Sequence, residues 1–344
     1  MAETADYDPG DWKGHDFKAA RAAYTADAGR GYAEAVASHT TVSDLVPASI
    51  ETVCERSLTV VCDVTGSFGT WPGVIFGKLP YLDIEGRSYL GDETEISFAA
   101  VGDAPMKDKF YLQVRPFASG TALTDHLKAL KIEGGGGADN AESYELAALY
   151  YLKNASFPNA TAKPILVFIC DEGCHTSVSE THASAVHVDI HNVTSYQTTD
   201  IFRELTEKFA VYAIRKHYGS GEARVQEQWE GLIGADHIVS LDDPNAVVDS
   251  LFGILAKETD KIDYFRSEIE GRQEAGRVAT VYKSLKTVHA GDVGVDLKGK
   301  SRMFLPGDAK KSRHLLPPTD LTSYWADVDP KPPAKGKPTP AKKK

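Results

Sequence analysis

Cysteine is scarce in this chain. Cys54, Cys62, Cys170 and Cys174 are the four in 344 residues, too few to staple a fold of this length, so a disulfide scaffold is excluded. Cys62 and Cys170 each precede an aspartate at the end of an apolar run, and both are expected to be buried free thiols. Long apolar runs are also missing. None approaches the roughly 18 residues a membrane helix needs, and the opening Met1-Ala2-Glu3-Thr4-Ala5-Asp6 is acidic where a secretory leader is basic and then greasy. The expectation is a soluble, cytoplasmic protein without membrane contacts, in which the N-x-S/T triplets at Asn154, Asn159 and Asn192 are chance matches. No excess of basic charge exists either: 38 Lys and Arg against 49 Asp and Glu leave −11, and with six lysines confined to 331–344 the rest of the chain carries −17. Such a body has no footprint for nucleic acid. The Lys/Pro-rich end, 329–344, is expected to be a disordered solubilising tail capable at most of weak anionic contacts.

Several enzyme signatures are absent as well. No G-x-S-x-G elbow occurs. The run Gly73-Val74-Ile75-Phe76-Gly77-Lys78 lacks the spacing and the following hydroxyl of a phosphate loop, and the glycines at 134–137 do not read G-x-G-x-x-G after a strand. A haloacid-dehalogenase phosphatase needs D-x-D-x-T, whereas position 65 is threonine.

What the chain does contain is an alternation of short apolar runs with amphipathic stretches, the pattern of an α/β protein with a mostly parallel sheet. Strands are predicted at 58–63, 94–102, 110–117, 164–171, 210–214 and 237–241, and helices at 121–130, 138–153, 199–208, 223–233 and 244–257. Asp243 before Pro244 is an N-cap followed by proline at the first helical position. The runs at 58–62 and 165–170 are continuously apolar, as expected of central strands covered on both faces, and each ends in aspartate. A helical N-terminal extension (1–54, with a helix over 17–36) and a helical or irregular C-terminal extension (261–328) flank the α/β region at 55–260.

The chemistry concentrates at Asp63-Val64-Thr65-Gly66-Ser67. In extended backbone, side chains at i, i+2 and i+4 point one way, so one carboxylate and two hydroxyls converge, and hard cations such as Mg²⁺ take oxygen ligands of this kind. Further carboxylates follow: Asp171 closes the fourth strand, and Asp139 and Glu142 lie just after the glycine run. In an open parallel sheet ligands gather beyond the carboxyl ends of the strands, at the switch point. His175, His182, His187 and His191 crowd one 17-residue stretch, with His187 and His191 at the i, i+4 spacing of two ligands on one helix face. A zinc site and a solvated loop near the cation rim are the two readings of these histidines.

The Asp63–Ser67 motif, the 134–142 loop and Cys170-Asp171-Glu172-Gly173 resemble the three loops of the von Willebrand factor type A domain with its metal-ion-dependent adhesion site, over about 55–260. The resemblance implies a doubly wound, Rossmann-like six-stranded sheet with helices on both faces and Mg²⁺ at its top, Mn²⁺ or Ca²⁺ being substitutes. By carry-over Asp63, Thr65 and Ser67 fill D-x-S/T-x-S and Asp171 the late aspartate. In the middle loop Glu142 is the ligand of choice, with Asp139 and Thr121 as substitutes. That loop is similar to the G-G-G-D-x-P-E of the integrin-β-like and α-kinase-associated subgroup, with the proline missing and an alanine inserted. Asp171-Glu172-Gly173-Cys174-His175 is similar to the subgroup's next motif with two departures. The resemblance implies a non-enzymatic interaction module whose metal is completed by an Asp or Glu of a protein partner, in a context such as an adaptor to an AAA+ ATPase or a stress or defence complex. An Mg²⁺-dependent phosphoryl-transfer or hydrolytic enzyme and a structural assembly component are the alternatives.

Overall fold

The structure, a computed structural model, describes residues 31–289 apart from 80, 107, 133–140, 191–193, 218 and 220. The predicted tail, most of the helix at 17–36, the glycine run and Asp139 therefore lie outside the described residues. The chain divides into Met1–Asp292 and Val293–Lys344, and the described residues belong to the first unit.

A mixed α/β body is built on one six-stranded sheet. Its strands are β1 (Ser57–Asp63), β2 (Glu95–Val101), β3 (Leu112–Val114), β4 (Ile165–Cys170), β5 (Ala210–Arg215) and β6 (Ile238–Ser240). They lie side by side in the order β6-β5-β4-β1-β2-β3, all parallel except β3, which runs antiparallel to β2. The chain starts at the middle of the sheet, builds outward through β2 and β3, and then crosses to β4 on the other side of β1. The two aspartates that end the apolar runs thus flank the point where the winding reverses.

Alternation along the strands feeds two separate cores. Leu58, Val60 and Cys62 of β1 join Ile165, Val167 and Ile169 of β4 on one face, while Val61 joins Leu166, Phe168 and Cys170 on the other. Both thiols are buried and free, and because Cys62 and Cys170 face opposite sides of the sheet, no bond between them is open to the chain. The first face is covered by α1 (Trp71–Lys78), α2 (Tyr81–Leu90), α3 (Gly120–Ala129) and α8 (Val247–Glu258); the second by α4 (Tyr144–Asn154), α5 (Glu180–Ala185), α6 (Thr198–Lys208) and α7 (Glu222–Ile233).

The described flanks pack on the same body. Val42, Val46 and Ile50 enter the second core. Helices α9 (Ile262–Arg272) and α10 (Ala275–Ser284) send Phe265, Ile269 and Val281 into the first, where Leu285 presses so closely on α8 that a Cβ at Gly253 would collide with it.

Three sequence expectations shift. Helix α4 starts at Tyr144 rather than 138, because Ala141–Glu142 forms a two-residue parallel ladder with Gly173–Cys174. Pro244–Ala246 is a 3-10 turn capped by Asp243, whose carboxylate accepts from Asn245 N at 2.9 Å, and the α-helix begins at Val247. The run 73–78, read only as lacking the pattern of a phosphate loop, lies in α1, and α2 follows it in a stretch given no element. Helix α1 is buried on nearly every side, so its sequence carries no amphipathic period to detect.

Candidate functional site

The loop after β1 is fixed by its anchors. Val64 N extends the β1–β2 ladder onto Val101 O at 3.0 Å, and Phe68, fully buried, packs against Trp71 with ring centroids 5.2 Å apart. Between these anchors four oxygens run in sequence from one strand end to the other. Asp63 Oδ1 accepts from Thr65 Oγ1 at 2.6 Å and from Thr65 N at 2.7 Å. Thr65 Oγ1 lies 3.1 Å from Ser67 Oγ, which donates to Asp171 Oδ1 at 3.4 Å. Asp63, Thr65 and Asp171 are buried, and Ser67 is exposed at the rim. The oxygens of D-x-T-x-S and the late aspartate are therefore brought together.

The Asp171 loop is held from the opposite side by α7. Trp229 Nε1 donates to Glu172 O at 2.9 Å, and the Gln228 amide bonds the Cys174 backbone both ways, at 2.9 and 2.8 Å. The 141–142 ladder then sets Glu142 opposite Cys174.

Glu142 is 1 % exposed, and its Oε2 is buried without a hydrogen-bond partner. Burial and the neighbouring charges of Asp63, Asp103, Glu172 and Asp108 push its carboxyl up to about 11. Burial, with Asp171 nearby, likewise raises Asp63 to about 7 against the opposing hydrogen bonds from Thr65 and Tyr144. Asp171 is raised by burial and drawn back chiefly by the Lys216 ammonium. Among the described residues no group of three or more His, Cys, Asp or Glu is arranged to hold a metal ion by those residue types alone. The donors that converge here include two hydroxyls. Carboxylates forced toward their neutral forms, an orphaned carboxyl oxygen and hydroxyls at their side are a donor set that fits a hard divalent cation.

Two other candidates are not brought to the site. Thr121 is exposed at the start of α3, just past Ala118, which bridges Ile96 near the beginning of β2. Because β3 runs antiparallel, that places Thr121 at the edge of the sheet opposite Asp63. The zinc pair also fails: α5 ends at Ala185, and His187 stands at φ 59°, outside any helix, with its Nε2 3.2 Å from Ser43 O. His175 instead pairs with Asp103 at 2.9 Å, and His182 packs against Tyr111. His191 and Asp139 lie outside the described residues.

Sequence reasoning missed Tyr144 and Lys216. The buried Tyr144 hydroxyl donates to Asp63 Oδ2, and no local signal links two residues 81 positions apart. Lys216 Nζ reaches Ser67 O at 2.7 Å and Asp171 Oδ2 at 3.3 Å; its place just past a predicted strand could have marked it. A hydrogen bond to a carboxylate favours the charged form. Tyr144→Phe is therefore expected to lower stability by about 1.5–3 kcal/mol at pH 8 and by less at pH 5, where Asp63 holds its proton. Urea unfolding at the two pH values checks this, and equal losses would detach the hydroxyl from the charge.

No family model and no curated protein matches this chain. Among solved structures it is similar to the pilus adhesin SpaC from Lactobacillus rhamnosus GG, at 13 % identity over 63 % of this chain and 32 % of the adhesin, with a TM-score of 0.44. The open conformation of SpaC gives 10 % identity, 61 % and 31 % coverage and a TM-score of 0.42. Proximal thread matrix protein 1 from the mussel byssus gives 12 % identity, 62 % and 48 % coverage and a TM-score of 0.39. The chain thus spans 31–48 % of the length of these proteins. Among the described residues no helix is long and apolar enough to cross a membrane.

Proposed function

We propose that this chain is an interaction module organised like a von Willebrand factor A domain, which holds a divalent cation, Mg²⁺ first, and engages a carboxylate of a protein partner through it. The observation that carries this reading is the unbroken run of oxygens from Asp63 through Thr65 and Ser67 to Asp171 across the switch point of the sheet. Those four residues would hold the cation, with Glu142 behind them. Bound there, the cation supplies a positive centre for an incoming Asp or Glu.

The chain's own groups prepare that encounter. Thr65 and Tyr144 fix both oxygens of Asp63, and Phe68 anchors the loop so that Ser67 stands at the exposed rim. Supplying two of the four donors as uncharged hydroxyls leaves the cation less fully neutralised than an all-carboxylate shell would, which favours one more anionic ligand from outside.

Calorimetric titration of the metal-free protein with Mg²⁺ is expected to give one binding event that Ser67→Ala/Asp171→Asn abolishes. Capture from a lysate in Mg²⁺ is expected to retain a partner that EDTA and the double variant both release. Absence of binding by Mg²⁺, Mn²⁺ and Ca²⁺ at millimolar concentration would sink the reading.

A further inference from the structure

Strand β5 ends at Arg215, and Lys216 N adds one more rung to the sheet by donating to Cys170 O at 2.8 Å. This rung fixes the Lys216 backbone beside Asp171. From there the side chain crosses to the first loop: Nζ donates to Ser67 O at 2.7 Å and to Asp171 Oδ2 at 3.3 Å, and lies 5.5 Å from the centroid of the Phe68 ring. A single ammonium thus ties the D-x-T-x-S loop to the late aspartate. The Asp171 side chain is 2 % exposed and that of Lys216 is 24 % exposed, so the carboxylate is enclosed while the ammonium has a route to water.

We propose that Lys216 is a resident counter-ion of the site, which a divalent cation must displace from Asp171, so that this lysine sets how much metal the protein requires. The inference rests on the cation-binding reading above. Two cations drawing on one enclosed carboxylate repel each other, and a carboxylate already paired with an ammonium is a poorer metal ligand than a bare one. Lysine suits the part: its compact, strongly hydrated head sits on a flexible stem and leaves for solvent more readily than a planar, forked guanidinium. In the metal-free protein the same ammonium neutralises Asp171 and bridges two loops that would otherwise face each other through buried carboxylates.

The test compares wild type, Lys216→Met and Lys216→Gln, each metal-free and titrated with Mg²⁺ by calorimetry, alongside thermal unfolding in EDTA and in saturating Mg²⁺. Removing the ammonium while keeping a side chain over Phe68 is expected to tighten Mg²⁺ binding about 5- to 10-fold. It should also lower the melting temperature in EDTA, and the deficit should close in saturating Mg²⁺. Lys216→Arg, which keeps the charge, should bind Mg²⁺ as weakly as wild type or more weakly. Should Mg²⁺ binding be unchanged or weaker in both the Met and Gln variants while wild type binds normally, Lys216 is no competitor and the inference falls alone. If neither wild type nor variants bind Mg²⁺, Mn²⁺ or Ca²⁺, the cation-binding reading falls and takes this inference with it.

Discussion

Metal-free Asp63→Asn is expected to be more stable than wild type at pH 8, while losing its response to Mg²⁺. Asp63 is completely enclosed, and burial beside Asp171 raises its carboxyl from 3.8 to about 7. Between those two values the folded state holds a proton that the unfolded state has released. Wild-type stability therefore falls as pH rises from about 4 to about 7 and stays low above that. Asparagine is nearly the same shape, carries no charge and has no such slope. Its carbonyl still accepts from Thr65, although its amide must face the Tyr144 hydroxyl as a donor, which offsets part of the gain. The net advantage at pH 8 should be on the order of 2 kcal/mol, shrinking to nothing or reversing at pH 4.5. Urea unfolding in EDTA at pH 4.5, 6 and 8 reads this crossing directly. A variant weaker than wild type at all three values would show that Asp63 is stabilised as an anion by its hydrogen bonds and needs no cation. For wild type, saturating Mg²⁺ should flatten the same pH slope, because a cation on the acidic cluster replaces the protons.

The second large effect is one of packing. Trp229 is fully buried on α7, and its ring lies 5.7 Å from Tyr144, 5.5 Å from Phe168 and 5.8 Å from Phe202. Trp229→Ala should cost about 3–5 kcal/mol, the transfer and cavity terms acting together, and denaturant unfolding measures it. The ring also links this core to the site, since its Nε1 holds Glu172 O. Trp229→Phe keeps most of the packing and removes that bond, so it should lose about 1–2 kcal/mol. Its effect on Mg²⁺ affinity should be disproportionate, because the freed backbone adjoins Asp171. If Trp229→Phe binds Mg²⁺ as wild type does, the loop is held by other contacts, and the Gln228 bonds to Cys174 are the first to test.

Much of the sheet was legible because its signals are local. All six strands were found from apolar runs, and their ends fall within a few residues of the predicted ones, with the largest difference at β3. The antiparallel direction of β3 was not legible, and that direction is what sends Thr121 to the wrong edge. Helix α1 was missed because a helix enclosed on nearly all sides has no polar stripe, and α2 because an exposed Ile84 and a mid-helix Gly86 blur its half-buried pattern. The histidine pair misled for a related reason: i, i+4 spacing implies a shared face only where the backbone is helical, and His187 is not.

The sequence alone determined the α/β class, the two aspartates that end continuously apolar strands and the short-range D-x-T-x-S grouping, because strand alternation and a five-residue motif depend on neighbours in the chain. Tertiary structure decided what surrounds them: Tyr144 on Asp63, Glu142 set against Cys174 by a two-residue ladder, and Lys216 spanning from Asp171 to Ser67. These partners are 32 to 149 residues apart in the chain. Their meeting depends on strand order and on which face each side chain takes, and it is this long-range placement that encloses the carboxylates and shifts their proton affinity.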